Sequence, residues 1–392
     1  MLKVRAKSMK QKIYIIIFVL AAIVFGGFLY IQFSPVKAPN NFSSEAADPT
    51  LSSFESYYRG RVTALGDINN ETLHSTTFKA ILLTDNAKDK EVEVEYTPLL
   101  GTTNEQLPHV GETIVIGELK AQPGMGGSYV YLDKYRITPI LSIIAIFLAL
   151  AIIFGRWRGV TATIGLTFSI FLLIYFIAPG ILAGKDAGLV SLVGAGLIAI
   201  ISIYFAHGFN ERSGLATIST FITLGVSVGL SYWFVNWSKL FGMGMEGAFL
   251  LQSGYLGNVD LKGLLLAGVI IGTIGILDDV TTSQTATIAE ISEANNSLGF
   301  KELFRRGSIV GREHIASLIN TLVLAYAGAV LPLFLLFTLL TNQPLWTIIN
   351  SEFVAEEIIR TLVGSCALIL AVPITTIFAS YYFGVQIRPK NR

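Results

Sequence analysis

Long apolar runs separated by short polar segments fill most of the chain. A helix needs about 20 apolar residues to cross roughly 30 Å of hydrocarbon, and this criterion predicts eight spans. They are 13–33, 137–154, 160–178, 187–206, 214–235, 261–279, 315–341 and 359–381. The pattern therefore predicts an all-α polytopic membrane bundle of about eight transmembrane helices, with seven of them in residues 137–384.

The segment between the first two predicted spans has a different pattern. Residues 34–56 are rich in Pro, Ser, Asn and Ala without periodicity, which is typical of a linker. Short β-prone runs follow in residues 57–136, and in 91–96 apolar and acidic residues alternate as in a half-buried strand. The predicted strands are 57–65, 72–84, 91–96, 112–119 and 128–135. Five short strands predict a small β-barrel or sandwich of OB-like type, in which we expect Tyr57, Tyr58, Tyr129 and Tyr131 to pack within the sheet.

Composition agrees with a membrane protein. The chain is 52% hydrophobic and 14% charged, and its mean hydropathy of +0.62 exceeds what a water-soluble core can bury. The lipid bilayer is therefore the first expected partner. The net charge of +1 gives no basic excess for nucleic acid, so none is expected as a partner.

The distribution of basic residues predicts the orientation. Cytoplasmic loops of membrane proteins carry an excess of Lys and Arg, and eight spans place most basic loop residues on the side of the amino terminus. These residues are Lys3, Arg5, Lys7, Lys10, Lys12, Arg156, Arg158, Arg212, Lys301, Arg305, Arg306, Arg312, Arg388, Lys390 and Arg392. We predict that 1–12 and 385–392 are cytoplasmic, that 13–33 is a retained anchor, and that 57–136 is extracytoplasmic.

Catalytic and metal-binding motifs are not evident. Cys366 is the single cysteine, so an intrachain disulfide is impossible, and the four histidines are widely spaced. The sequence Arg312-Glu313-His314 lacks the second histidine of H-E-x-x-H. An intramembrane aspartyl protease would need aspartates on two different helices, whereas Asp278 and Asp279 are adjacent in the sequence. We predict no enzyme, no metal and no cofactor.

The most informative polar segment follows the apolar run of the sixth predicted span. This run stops at Leu277, directly before Asp278 and Asp279. Two ionised aspartates at the bilayer centre would cost roughly 5–7 kcal/mol, so we expect them at the inner boundary or in a wet cavity. A continuing helix would place small, hydroxylic and acidic residues along one face. They are Gly268, Gly272, Gly275, Asp279, Ser283, Ala286, Glu290 and Glu293.

A second polar stripe occurs in the seventh predicted span. Arg312 lies at its cytoplasmic mouth, and Asn320 and Thr321 lie further inside. The two stripes would either pack together or line a path. The candidate residues for a substrate or ion path are Asp278, Asp279, Ser283, Glu290, Arg312, Asn320 and Thr321.

Two interpretations of this polar segment stay open. In the functional one, an aspartate binds a proton or cation together with Glu290 and Asn320. In the structural one, an arginine neutralises the acids, and Asn320 and the hydroxyls join helices by hydrogen bonds. The candidate arginines are Arg305, Arg306 and Arg312. The pairs Gly225–Gly229 and Gly268–Gly272 would also let helices approach closely.

Several segments resemble the YibE/F-like membrane protein family. They are GRWRG at 155–159, GTIGILDD at 272–279, IAEI at 288–291, ELFRRG at 302–307, GRE at 311–313 and NTLVLAYAG at 320–328. The resemblance extends from about Tyr57 to Phe383, although the family pattern has one aspartate where this chain has Asp278 and Asp279. It implies a bacterial plasma-membrane protein with a second, YibF-like membrane subunit or a homo-oligomer as partner, and it supplies no established activity.

Two functions are expected from these observations. The first is a transporter or permease component with a polar intramembrane site. The alternative is a non-transporting membrane scaffold or sensor whose outer β domain recognises a partner. A transporter should lose flux when the two aspartates are replaced. A scaffold or sensor should lose its membrane partners when residues 57–136 are deleted.

Overall fold

The computed structural model describes residues 54–65, 76–84, 87–97, 107–120, 128–244, 260–332, 335 and 344–386. The predicted anchor 13–33, the predicted cytoplasmic segment 1–12 and residues 387–392 of the predicted carboxyl-terminal tail lie outside these residues. The chain divides into two compact units, and the boundary between Leu150 and Ala151 falls within a helical segment.

The smaller unit contains a closed five-stranded barrel. Its strands are β1 (Phe54–Leu65), β2 (Thr76–Leu82), β3 (Glu91–Tyr96), β4 (Thr113–Leu119) and β5 (Tyr129–Lys134). Around the barrel the order is β1-β2-β3-β5-β4. β3 and β5 pair in parallel, and the other four pairs are antiparallel. The predicted small barrel is therefore confirmed.

Alternating side chains fill the barrel interior. In β3, Val92, Val94 and Tyr96 point inward and are buried, as their alternation with glutamates predicts. Tyr131 packs edge-to-face on Tyr96, with ring centroids 5.2 Å apart. Of the four tyrosines expected to pack within the sheet, Tyr58, Tyr129 and Tyr131 border the core, whereas Tyr57 is exposed.

The described part of the remaining chain forms seven helical segments. They are α1 (Ile137–Leu182), α2 (Ala187–His207), α3 (Glu211–Trp237), α4 (Leu261–Ala294), α5 (Phe300–Ala329), α6 (Leu345–Ile349) and α7 (Glu352–Gln386). Side-chain caps begin two of them. Asp186 accepts a hydrogen bond from the Leu189 amide before α2, and Asn210 accepts one from the Ser213 amide before α3.

The structure does not support eight spans. Five described helices, namely α1, α2, α3, α4 and α7, are long and apolar enough to cross a membrane. Two predicted spans, 137–154 and 160–178, fall within the single segment α1. α5 begins with charged residues and is not among the five helices, and most of residues 333–343 lie outside the described chain. The prediction counted each apolar run as one span. In the structure, two of these runs lie in the one segment α1, and another begins inside α5.

α1 is nevertheless broken where the arginine-rich loop was predicted. Arg156 has φ 53° and ψ −136°, which is far from helical geometry. A Cβ at Gly159 would collide with the carbonyl oxygen of Ala151, eight residues earlier. The chain therefore bends sharply within GRWRG, and Gly159 permits this close contact.

α4 and α7 are the most buried of the five long apolar helices. α4 packs against α2, α3, α5 and α7, and α7 also contacts α3 and α5. Among the described residues, no helix makes close contact at Gly225 or Gly229, because a Cβ at either position would have open space. Close contacts occur at Gly307 and Gly311 of α5 instead, so the described helices do not show the expected role of the first glycine pair.

Candidate functional site

Buried hydroxyl groups line the contact between α3 and α4. The Thr220 and Thr281 hydroxyl oxygens lie 2.7 Å apart, and Ser227 donates to the Thr273 hydroxyl at 3.3 Å. The hydroxyls of Thr273 and Thr281 also donate to the carbonyl one turn earlier in α4, those of Val269 and Leu277. The interior between these two helices is therefore polar without being charged.

Gln284 joins three helices at one end of this polar interior. Its side chain is 1% exposed. Its Nε2 donates to the Gly307 carbonyl of α5 at 2.9 Å and to the Thr376 hydroxyl of α7 at 2.8 Å. Such buried amide bonds hold helices together in an apolar surrounding. Sequence analysis missed Gln284, because nothing in the local pattern shows which helices meet there.

Asp278 is a half-buried acidic group on the side of α4 that faces α2. Ser202 of α2 donates a short hydrogen bond to its Oδ2. Its Oδ1 is buried and has no hydrogen-bond partner within the described residues. The hydroxyl of Thr282 donates to the Asp278 main-chain carbonyl at 2.8 Å and so does not satisfy the carboxylate. The side chain thus has one hydrogen-bonded oxygen and one buried oxygen without a partner in the described structure.

Asp279 does not share this environment. The next residue of a helix is rotated by about 100°, and Asp279 is exposed whereas Asp278 is half-buried. Ser283 is half-buried and donates to the Val280 carbonyl at 3.2 Å. The predicted stripe through Asp279, Ser283 and Glu290 is therefore the outer face of α4. The buried polar face carries Asp278 and the hydroxyls instead.

Glu290 pairs with an arginine that sequence analysis did not assign to it. Arg212, in the first turn of α3, donates to Glu290 at 2.7 Å and also bonds Glu293. The predicted topology already placed Arg212 on the same side as Glu290, but it could not select this pairing. The pair joins the start of α3 to the end of α4.

The expected arginine partners point elsewhere. Arg305 and Arg306 both bond Glu302 at 2.7 Å on α5, and these hydrogen bonds lower the pKa of Glu302 to about 2. Arg312 is exposed. The prediction that one of these arginines neutralises the acids of α4 is therefore wrong for the described residues.

Asn320 and Thr321 are exposed on α5. Thr321 donates to the Ser317 carbonyl of its own helix at 3.0 Å. A small cleft between α5 and α7 is lined by apolar residues and Ser365, and it includes neither Asn320 nor Thr321. The structure therefore does not bring these two residues together with Asp278.

Together these observations define the class of protein. Five long apolar helices, of which α2, α3, α4 and α7 pack together around a polar interior, are those of a multi-pass helical membrane protein. The chain belongs to the YibE/F-like family, whose sequence pattern matches residues 143–384, more than half of its length. The match does not include the β-barrel, although the resemblance was expected to begin near Tyr57. Neither the curated proteins nor the solved structures contain a significant match.

Proposed function

We propose that this chain is a transporter or permease component of a bacterial plasma membrane, and that Asp278 binds the transported or coupling proton or cation. One observation supports the proposal above the others. Asp278 is held between helices by Ser202, while its Oδ1 is buried without a partner in the described structure. An ionisable side chain within a membrane bundle is costly and commonly marks an ion or proton path.

The depth of Asp278 supports a route from the inner surface. At 1.5 Å per residue, Asp278 lies about 26 Å along α4 from Leu261, and the hydrocarbon is roughly 30 Å thick. α4 continues to Ala294. With α4 entering from the outer surface at Leu261, as the predicted orientation has it, Asp278 lies near the inner boundary. A proton or cation would therefore need only a short path from the cytoplasm to reach Asp278.

The hydroxyl groups between α3 and α4 extend this polar environment. Thr281 lies one turn beyond Asp278, and Thr273 lies more than one turn before it. Hydroxyl groups both donate and accept hydrogen bonds, so they suit a dehydrated ion or a proton-carrying water without adding charge. The proposal assigns no enzymatic activity and no cofactor to the chain.

The partner predictions remain proposals as well. None of the 18 consecutive residues that form the apolar part of α1 is buried in the described structure, whereas 56% of the corresponding residues of α7 are buried. Contact with lipid, with a second YibF-like subunit or with another copy of the chain would each cover this apolar surface. The alternative function, a scaffold or sensor that binds its partner through the barrel, predicts that deletion of 57–136 removes co-purifying membrane proteins.

A matched pair of aspartate variants tests the transport proposal. We expect proteoliposomes loaded with a pH-sensitive dye to show proton flux above protein-free vesicles after a membrane potential is imposed. Asp278→Asn should reduce this flux to the protein-free level, because the amide cannot carry the charge. The adjacent variant Asp279→Asn should retain it, because Asp279 is exposed.

The same assay can refute the proposal. Sodium and potassium tracers should be measured in parallel with protons, so that a cation other than the proton is detected. Equal flux from the wild type and Asp278→Asn, or no flux of any of these ions, would contradict ion binding at Asp278. The amount of inserted, monodisperse protein serves as the control for folding.

A further inference from the structure

A second acidic group lies at the start of α7, away from Asp278. The loop Phe241–Gly244 packs on the first turns of this helix. Glu352 Oε1 accepts hydrogen bonds from the amides of Phe241 at 2.6 Å and Met243 at 3.3 Å. Glu356 Oε1 accepts one from the Gly244 amide at 2.9 Å. Two carboxyl groups one helical turn apart therefore hold the same loop.

The loop has little freedom to move away from these carboxyl groups. Gly242 has φ +85°, and a Cβ there would collide with the Leu261 carbonyl at the start of α4. A Cβ at Gly244 would lie 2.7 Å from the Phe353 Cα and 2.9 Å from Glu356 Oε2. Glycine is required at both positions, so the loop is fixed between α4 and α7.

Glu356 is almost completely buried. It is 2% exposed, and its Oε2 has no hydrogen-bond partner among the described residues. An ionised carboxylate in such a place costs several kcal/mol unless it is paired. Arg360, one turn further along α7, does not form an ion pair with it within the described structure. The nearest acidic oxygen to Arg360 is that of Glu357, at 3.7 Å.

The surroundings favour a proton over a metal cation. The loop presents backbone N–H groups to the two carboxyls, and N–H donors cannot ligate a metal. The other charged groups on α7 are Glu352, Glu357 and Arg360, and the guanidinium, which opposes a metal cation and a proton alike, lies 3.7 Å from Glu357. On α4, the Lys262 ammonium bonds Asn236 at 2.7 Å instead. The described residues also contain no group of three or more His, Cys, Asp or Glu side chains that could hold a metal ion.

We propose that Glu352 and Glu356 bind one proton between them. With the proton on Glu356 Oε2, that oxygen becomes a donor, and the Glu352 carboxylate one turn earlier is its acceptor. Oε1 keeps the hydrogen bond from Gly244, so every polar atom of the buried group is then satisfied. Loss of the proton places two negative charges one turn apart, next to the loop between α3 and α4.

This site is separate from the one at Asp278. Gly242 contacts Leu261, and Asp278 lies about 26 Å further along α4 at 1.5 Å per residue. The proton on Glu356 is an equilibrium property of the folded protein and does not require transport. Its test can therefore succeed or fail independently of the flux measurements.

Infrared spectroscopy of the purified full-length protein in lipid tests the proposal. A protonated carboxyl group shows a carbonyl stretch that a carboxylate lacks. We expect one component of this band at neutral pH to disappear in Glu356→Gln and to persist in Glu357→Gln. Glu357 is the matched control, because it is the next residue of the same helix and its carboxylate faces Arg360.

Stability measurements show whether the band is lost only because the variant is misfolded. Glutamine reproduces both hydrogen bonds of the protonated acid, since its amide donates to Glu352 and its carbonyl accepts from Gly244. We therefore expect Glu356→Gln to unfold at the same temperature as the wild type, and Glu356→Ala to unfold at a lower one. An unchanged band in Glu356→Gln would overturn the proposal, and so would a failure of this variant to fold.

Discussion

At the residue scale, two glycines of α5 decide how closely the central helices approach. A Cβ at Gly311 would collide with the Val372 side chain of α7 and lie 3.1 Å from Gln284 Nε2. A Cβ at Gly307 would lie 3.0 Å from Ile288 of α4. Small residues at such positions let helix backbones pack closely within a bilayer. The Gln284 hydrogen bonds depend on this approach.

Gly311→Ala is therefore expected to destabilise the bundle. The added methyl group must displace Val372 or Gln284, which costs about 1–3 kcal/mol in a well-packed core. The midpoint of thermal unfolding of the purified protein should fall. Gly328→Ala is the matched control on the same helix, because a Cβ there has open space and alanine is the better helix former. Equal midpoints for the two variants would contradict the packing at Gly311.

At the element scale, α4 shows how rotation of a helix determines what its residues do. The stripe identified from spacing, through Asp279 and Glu290, faces outward, and the opposite residues Asp278, Thr281 and Gln284 face neighbouring helices. Spacing of three and four residues identifies a common face. It does not identify the side on which the neighbouring helices pack. α2, α3, α5 and α7 together decide this.

Within the barrel, β4 and β5 are joined at their ends by a salt bridge. Glu112, directly before β4, lies 3.0 Å from Lys134 at the end of β5. Burial raises the pKa of Glu112, but the hydrogen bonds from Lys134 and the His109 amide outweigh it, so the pKa is lowered from its usual 4.5. A lowered carboxyl pKa contributes stability above pH 4.5, and this stability is lost as the pH falls through the folded-state value.

Glu112→Gln should make β4 and β5 less stable at neutral pH by about 0.5–1 kcal/mol, since the pair is partly exposed. Hydrogen exchange of the β4 and β5 amides in the full-length protein measures this difference. Comparison of variant and wild type at the same pH removes the intrinsic pH dependence of exchange. The difference should shrink as the pH is lowered below 4.5. A difference that stays constant with pH would show that the ionised pair contributes nothing.

At the scale of the whole molecule, charged residues lie at both ends of the described bundle. Arg212, Glu290 and Glu293 meet where α3 begins and α4 ends, and the charged first turns of α5 follow directly. The opposite end carries Glu352 and Glu356 with the loop before α4. The excess of basic residues at the first end favours its placement in the cytoplasm.

Cysteine labelling in intact cells tests this orientation. In a Cys366→Ala background, Ser238→Cys lies after α3 and Asn296→Cys lies between α4 and α5. We expect a membrane-impermeant thiol reagent to label Ser238→Cys from outside, and Asn296→Cys only after the membrane is permeabilised. The two sites lie at opposite ends of α4, so labelling of both from the same side would contradict a membrane-spanning α4. The reverse pattern would invert the predicted orientation.

From the sequence by itself one can predict that most of the chain lies in lipid, where most of its helices are, and that a small barrel forms. Apolar length defines a membrane helix because the hydrocarbon has a fixed thickness, and alternation in residues 91–96 defines a half-buried strand. The family could also be identified from sequence, because motifs such as ELFRRG are local strings of residues. Apolar length did not give the number of spans, since two predicted spans lie in the one helical segment α1 and α5 is not among the long apolar helices.

Only the tertiary structure decided which polar groups meet. Arg212 and Glu290 are 78 residues apart, and Ser202 and Asp278 are 76 apart. Glu356 meets Gly244 across a separation of 112 residues. Periodicity describes the faces of one helix, whereas these contacts depend on how several helices are rotated and packed. For that reason the sequence placed an acidic site on α4, and the fold distinguished Asp278 from Asp279.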